Sequence, residues 1–155
     1  MIKVLYIAYF FLFNFINQDI VNTNNLDNYR YSWKINYPEN CNLPFSDSEL
    51  KMLQYVYAEN LKNHVLDKPA ISIHIKHIFR NRIFIGKKSS NSQVKYPLLS
   101  SVDLFNIHNK NLIRHPFDKE KFNPFIYNFN FGSKSELIYR VDNSDYIIII
   151  KSRYK

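Results

Sequence analysis

The chain has 155 residues and is 46% hydrophobic and 17% aromatic, which is enough for one domain with a packed core and too apolar for a disordered chain. Its formal net charge of +8 would favour acidic partners, nucleic acid or anionic membranes, but the basic residues are scattered, with Lys87-Lys88 and the Lys151/Arg153/Lys155 tail as short groups. A solvated basic surface is therefore preferred to a nucleic-acid interface, and the single cysteine, Cys41, excludes an internal disulfide and a multi-cysteine zinc site.

The first segment of the chain is apolar. "MIKVLYIAYFFLFNFINQ" carries one lysine and then an apolar run over residues 4–16, which has the length of a secretory leader and is too short to cross a bilayer comfortably. The run predicts a signal or targeting segment at residues 1–21. Because no small-residue cleavage site follows, the alternatives are a helix or strand packed on the core, or a wrongly assigned gene start.

The next segment, residues 22–43, is rich in Asn, Asp and Tyr, contains Pro38 and shows no period, so it is predicted to be an irregular linker. The domain is expected to span residues 44–155. Its first helix is predicted from Ser46 and Glu49, which stand three residues apart as in a capping box. Residues at helical spacing then form one apolar face: Leu50, Leu53, Tyr57 and Leu61.

A second helix is predicted in "AISIHIKHIFRNRIF", which begins at residue 70. Pro69 favours a helix because proline is tolerated in a first helical turn, and residues at helical spacing follow: Ile71, Ile75, Ile78, Phe79 and Arg82. The alternation of β-branched residues in the same stretch favours a strand, which stays the alternative. His74 and His77 would share a helix face, but without a third ligand they are interpreted as surface side chains rather than a metal pair.

Residues 86–121 form a long polar stretch with short apolar runs, and a large loop with at most one strand is predicted there. His108 and His115 lie in it without a serine or cysteine nucleophile nearby in the sequence. No catalytic constellation is recognised, so the chain is expected not to be an enzyme and to carry neither a cofactor nor a metal.

Three strand-like runs end the chain: "NPFIYNFNF", "SELIYRV" and "DYIIIIKS". The last two are predicted to form a hairpin. Four consecutive isoleucines predict a final strand covered on both faces, with Ile148 and Ile150 on one face and Ile147 and Ile149 on the other, and hence a central strand. Residues from Lys151 onward are expected in solvent, and the second isoleucine face is expected to be covered by another copy of the chain.

The order of these pieces resembles the small dynein light chains, whose two helices precede a small antiparallel sheet. The resemblance covers the following residues: Asp67-Lys68 before the second helix; Ile75, Lys76 and Phe79 within it; Asn123-Pro124 after it; the "NFGS" turn from Asn130 to Ser133; and the final strands from Leu137 to Ser152. This chain departs from the family in the long segment after Phe79, in the short link between Ser133 and Leu137, and in lacking the tryptophan-histidine pair of the family's first strand.

The resemblance implies an α+β fold, with two helices packed on a small antiparallel sheet, and a non-catalytic adaptor or dimerisation module of a cytoplasmic microtubule motor complex. The implied partners are the dynein intermediate chain or other extended peptides, together with a second copy of the chain; no nucleic acid is expected, and a membrane only if the N-terminal segment is retained. The implied peptide-binding residues are Lys68, Phe131, Gly132, Ser133, Leu137, Tyr139 and Val141.

Two alternatives remain at this point. The first is a secreted or organelle-targeted basic binding protein unrelated to dynein, which the N-terminal segment would direct to the secretory pathway. The second follows from "LIYRVDNSDYIIIIKSRY", which is similar to the end of bacterial toxin ribonucleases.

Overall fold

The first helix begins where the sequence predicts its cap. The structure is a computed structural model that describes residues 37–89 and 94–154, so the predicted targeting segment lies outside the described residues. Helix α1 spans Asp47–Tyr57. The Glu49 amide donates to Ser46 Oγ at 3.2 Å and the Ser46 amide donates to Glu49 Oε2 at 2.8 Å, so the predicted capping box is confirmed. Of the predicted face, Leu53 is fully buried and Leu50 is half-buried.

The chain between the two helices turns tightly. A 3₁₀ turn (Ala58–Asn60) and a π-helical turn (Lys62–Leu66) follow α1, and Leu61 between them is buried in the core. Ala58 has φ 49° and ψ −127°, a conformation that an alanine rarely adopts. These turns reverse the direction of the chain after α1, and the second helix then begins at Pro69.

Helix α2 spans Pro69–His77, with the proline in its first turn as predicted, so the helical interpretation of this stretch is confirmed and the strand alternative is wrong for it. A π-helical turn (Ile78–Arg82) continues it. Ile75 and Ile78 are buried, but Ile71 is exposed. The predicted helix ends before its last apolar residues, because strand β1 (Ile83–Lys87) begins directly after Arg82.

The sheet has three antiparallel strands in the order β1-β3-β2, where β2 spans Leu137–Arg140 and β3 spans Tyr146–Ile150. The predicted hairpin and the central position of the final strand are both confirmed. Asn143 in the hairpin turn has φ 51°, which asparagine tolerates better than most residues. Within β3, Ile148 and Ile150 are buried in the core, whereas Ile147 and Ile149 are half-buried on the other face.

The predicted strand in "NPFIYNFNF" is wrong. Pro124–Ile126 form a 3₁₀ turn, and Tyr127 makes only an isolated bridge to Leu104. Asn123 caps this turn by accepting from the Phe125 amide at 3.1 Å. The segment's side chains are buried without the alternation of a strand, because they belong to an aromatic cluster: Phe79 with Phe125, Phe125 with Phe131, and Phe129 with Tyr139.

Both ends of the described body are packed more closely than the sequence predicts. The 3₁₀ turn Glu39–Asn42 lies in the predicted linker, yet its Cys41 is buried. At the other end Ser152 is buried, and its hydroxyl donates to the Lys134 carbonyl at 2.7 Å, so the tail does not leave the protein directly after Lys151.

The structure is a small α+β fold, with helices and a three-stranded antiparallel sheet around one core. The predicted loop of residues 86–121 begins after β1 and extends further than expected, to β2, with short 3₁₀ turns on the way. No helix in the described part of the chain is both long and apolar enough to cross a membrane.

Candidate functional site

The residues that the resemblance assigns to peptide binding lie at several places in the fold. Lys68 is exposed at the N-terminal end of α2. Gly132 and Ser133 lie in a turn that Asn130 organises, since its side chain accepts from the Gly132 amide and its carbonyl from the Ser133 amide, each at 3.1 Å. Leu137 and Tyr139 lie in β2, and Val141 follows it.

The β2 residues of this set are occupied within the fold. The Val141 amide donates to the Tyr146 carbonyl at 2.9 Å, and since pairing alternates along antiparallel strands, the backbones of Leu137 and Tyr139 also face β3. Their side chains pack against the core. At the outer edge of β2, the Arg140 amide donates to the Pro97 carbonyl at 2.8 Å. An added strand would therefore meet a β2 edge that residues 97 and 98 already cover at one end.

The other edge of the sheet, β1, is open among the described residues. The Lys151 amide donates to the Arg82 carbonyl, and the Lys88 amide donates to the Asp145 carbonyl. The β1 residues that exchange backbone hydrogen bonds with β3 are therefore the even-numbered ones. The backbone amides and carbonyls of Ile83, Ile85 and Lys87 consequently point away from β3. Within the part of the chain that the structure describes, no backbone group pairs with them.

A small pocket of about 270 Å³ lies beside this edge. Ile83 and Ile85 form one wall, and the remaining lining residues are Phe79, Lys119, Phe122 and Pro124. Five of these six lining residues are apolar, and Lys119 is the charged one. The β1 edge and this pocket together can pair the backbone of an extended segment and hold one of its apolar side chains.

The opposite face of the sheet is also partly open. Phe84 is 42% exposed there, and the Lys151 amine lies 4.0 Å from the centre of its ring. Ile147 and Ile149 share this face because they pair with Gly86 and Phe84. This face is the surface on which a second copy of the chain is predicted to pack.

A larger cleft, of about 850 Å³, lies between α1 and residues 115–127. At its wall the Tyr55 hydroxyl and His115 Nε2 are 3.1 Å apart and share a hydrogen bond. Met52, Phe117 and Phe122 line it with apolar surface, and the Asn123 side chain fixes one wall by donating to the Met52 carbonyl at 2.8 Å. No sequence pattern predicted this cleft, because its two walls lie far apart along the chain.

The remaining histidines are packed in the structure. His108 stacks against Tyr57 at 5.0 Å and lies 4.5 Å from His64, and burial together with His64 lowers the pKa of His108. His77 is buried, contrary to the prediction of a surface side chain, and contacts Tyr37 edge-on at 5.4 Å. Among residues 37–89 and 94–154 no three potential metal ligands of the His, Cys, Asp and Glu types cluster together.

Sequence reasoning missed the β1 edge because it assigned the residues before Gly86 to the second helix and the residues after it to the loop. The signal that could have identified it is the run "RIFIGK", in which β-branched and aromatic residues precede a glycine. The position of this edge is thus known from the structure alone.

Comparison of the chain with protein-family models, curated proteins and solved structures finds no match.

Proposed function

We propose that the chain is a non-catalytic adaptor that receives an extended peptide as an added strand on β1. The observation that carries this proposal is the open edge, where the backbones of Ile83, Ile85 and Lys87 point outward. An unpaired strand edge is a template for another extended chain, and main-chain hydrogen bonds then supply affinity.

The side chains beside the edge suggest which peptide it selects. The pocket lined by Phe79, Ile83 and Phe122 has room for one apolar side chain. Lys119 lines the same pocket, and Lys87 continues the strand beyond it. An extended peptide with an apolar residue next to an acidic one therefore fits the edge best, because the acidic group would be attracted to these amines.

The resemblance to the dynein light chains also suggests where in the cell the protein acts and which partners it binds. It implies a place in a cytoplasmic microtubule motor complex, with the dynein intermediate chain among the peptide partners, and a homodimer. In this chain the peptide edge is β1 rather than the β2 residues that the family pattern implies. The secreted or organelle-targeted binding protein remains the alternative, and the location of a C-terminally tagged copy distinguishes the two.

Selection of random dodecapeptides displayed on phage against the full chain, followed by hydrogen exchange with a selected peptide, tests the proposal. The outward amides of Ile83, Ile85 and Lys87 should exchange rapidly in the free protein and slowly in the complex. The amides of Phe84 and Gly86 already donate to β3 and should change little. Protection confined to β2 or to the cleft beside Tyr55 would contradict the proposal.

A proline at Lys87 provides the matched variant. The Lys87 amide is not used by the sheet, so Lys87→Pro removes a donor needed by an added strand and leaves the β1-β3 ladder intact. Lys87→Ala is the control, since it also loses the contact between the Lys87 amine and the Tyr146 ring but keeps the amide. Lys87→Pro should weaken binding of the selected peptide by about tenfold, and Lys87→Ala by clearly less. Equal losses would show that the side chain, not the strand edge, binds the peptide.

A further inference from the structure

The cleft between α1 and residues 115–127 takes no part in the peptide binding proposed for β1. Its volume of about 850 Å³ lies within the range of about 300–1,000 Å³ that small-molecule sites occupy. It shares Phe122 with the pocket beside β1, but none of the strand residues lines it. The cleft is therefore a second place at which a ligand can be enclosed.

Helix α1 contributes one face to the wall of the cleft. The lining residues of this helix recur at spacings of three and four: Ser48, Lys51, Met52 and Tyr55. Residues at this spacing lie on one side of a helix, and from Ser48 to Tyr55 the helix rises by about 10 Å. The wall is thus long enough for a molecule of two or more rings.

Hydrogen bonds between the two walls hold the cleft in shape. The Tyr55 hydroxyl and His115 Nε2 are 3.1 Å apart, and the Asn123 side chain donates to the Met52 carbonyl at 2.8 Å. The Asn109 side chain donates to the Tyr55 carbonyl, also at 2.8 Å. Because the walls are already joined in the free protein, a ligand would not have to order them, which favours binding.

The cleft contains aromatic surface that the fold does not fully cover. Phe117 and Phe122 both line it and are half-buried, and their ring centres are 5.8 Å apart. On its other side Phe122 stacks against the buried Tyr127 at 5.7 Å. Aromatic rings attract further rings in tilted or offset arrangements, so this surface favours an aromatic ligand over an aliphatic one.

The charged residues of the cleft are unequally paired. The Asp118 carboxylate lies 3.6 Å from the Lys121 amine, and the Glu120 carboxylate lies 4.0 Å from the Lys119 amine. Lys51 also lines the cleft and is exposed, but it belongs to none of the ion pairs among the described residues. An uncompensated positive charge beside aromatic surface favours a ligand that carries a negative charge.

We propose that the cleft binds a small aromatic acid, whose rings pack on Phe117 and Phe122 and whose carboxylate pairs with Lys51. The hydroxyl groups of Ser48 and Tyr55 lie in the same wall and can bond to polar substituents of the ligand. This proposal rests on the lining of the cleft and does not depend on the peptide edge of β1.

NMR of the full isotope-labelled chain, titrated with naphthalene-2-carboxylate, tests the site. The amide signals of Met52 and Tyr55 should shift with a saturable dependence on ligand concentration. The amides of Ile83 and Ile85 should not shift, since these residues line only the pocket beside β1. The absence of saturable shifts at Met52 and Tyr55 at millimolar ligand would overturn the proposal.

Two matched ligands separate the contributions of charge and ring. Naphthalene-2-carboxamide keeps the rings without the charge and should bind about threefold more weakly, as expected for the loss of a partly exposed ion pair. Decahydronaphthalene-2-carboxylate keeps the charge and the size but lacks aromatic rings, and it should bind at least about twofold more weakly. An amide that binds as well as the acid would refute the ion pair, and a saturated acid that binds as well would refute the aromatic preference.

Lys51→Gln tests the same ion pair from the side of the protein. It should weaken naphthalene-2-carboxylate by about threefold and leave the affinity for the carboxamide unchanged. Lys62→Gln is the matched control, because Lys62 is exposed in the turn after α1 and does not line the cleft. Equal losses for the acid and the amide in Lys51→Gln would contradict a role of its charge.

Ser48→Trp tests the location of the ligand by placing a large side chain in the cleft at an exposed position of α1. It should abolish binding of both the acid and the amide. Gln54→Trp introduces the same residue at an exposed position of α1 outside the cleft and should leave binding unchanged. Unaltered affinity in Ser48→Trp would show that the ligand binds elsewhere.

Discussion

Replacing Glu49 by glutamine should destabilise the protein through the ion pair that joins α1 to the turn after α2. The Glu49 carboxylate accepts from Arg80 Nε at 2.8 Å and from Arg80 Nη2 at 2.7 Å, and it also accepts from the Ser46 amide at 2.8 Å. Arg80 in turn donates to the carbonyls of Asn40, Leu43 and Pro44. One carboxylate therefore holds together the segment before α1, the first turn of α1 and Arg80.

The size of the effect follows from how far the pair is shielded from water. The side chains of Arg80 and Glu49 are 16% and 13% exposed, so the pair is much closer to a buried than to a surface ion pair. Breaking a buried pair costs about 3–5 kcal/mol and an exposed one about 0.2–1 kcal/mol, which places Glu49→Gln at about 2–3 kcal/mol. This is a large share of the stability of a small domain, commonly about 5–15 kcal/mol.

Urea unfolding followed by circular dichroism at neutral pH measures the loss, with Glu59→Gln as the control because Glu59 is exposed in the turn after α1. Burial opposes the charge on Glu49, but hydrogen bonds from Arg80 and Ser46 outweigh it and lower the pKa of Glu49 below its ordinary value of 4.5. The stabilisation should thus be complete above that value and disappear as the pH falls through the lowered pKa. A loss equal to that of Glu59→Gln would refute the reasoning.

Four further predictions concern the core, the backbone, the outer face and chemistry. Ile148→Ala should cost about 2–5 kcal/mol in urea unfolding and Ile147→Ala clearly less, since Ile148 is fully buried and Ile147 is not. Ala58→Gly should stabilise by about 1 kcal/mol because φ is 49°, whereas Ala70→Gly in α2 should destabilise. Light scattering should show a dimer that Ile149→Asp converts to a folded monomer; a monomeric unmodified protein would contradict this. RNA incubated with the purified chain should stay intact, and specific cleavage would favour the toxin-like alternative.

The parts of the fold that the sequence predicted are those determined by neighbouring residues. The capping box needs only Ser46 and Glu49, and the hairpin needs only two β-rich runs around a polar turn, so both could be identified locally. Strand β1 was not predicted, because its local signal in "RIFIGK" follows directly on the apolar run of α2, and pairing with β3 is what separates the strand from the helix. The strand conformation of residues 83–87 therefore depends on residues 146–150, which are distant in the sequence.

The candidate site was harder to predict for the same reason. The family pattern pointed to Leu137 and Tyr139, but whether that edge is open depends on Pro97, whose carbonyl accepts from Arg140. The aromatic run around Phe125 reads as a strand, yet Pro124 and the cap by Asn123 turn it into a 3₁₀ segment. Pattern identified the apolar residues correctly, and tertiary contacts decided what they pack against.

The central position of β3 has a consequence for how the protein is made. Of the three strands, β3 is synthesised last, and both β1 and β2 pair with it rather than with each other. Among the strands that the structure describes, β1 and β2 therefore have no ladder partner until Tyr146–Ile150 have left the ribosome. The helices can form early because their contacts are local, whereas the sheet closes late, which makes folding slower. While β1 waits, its exposed isoleucines and unpaired edge are the surface that a chaperone would need to protect from aggregation.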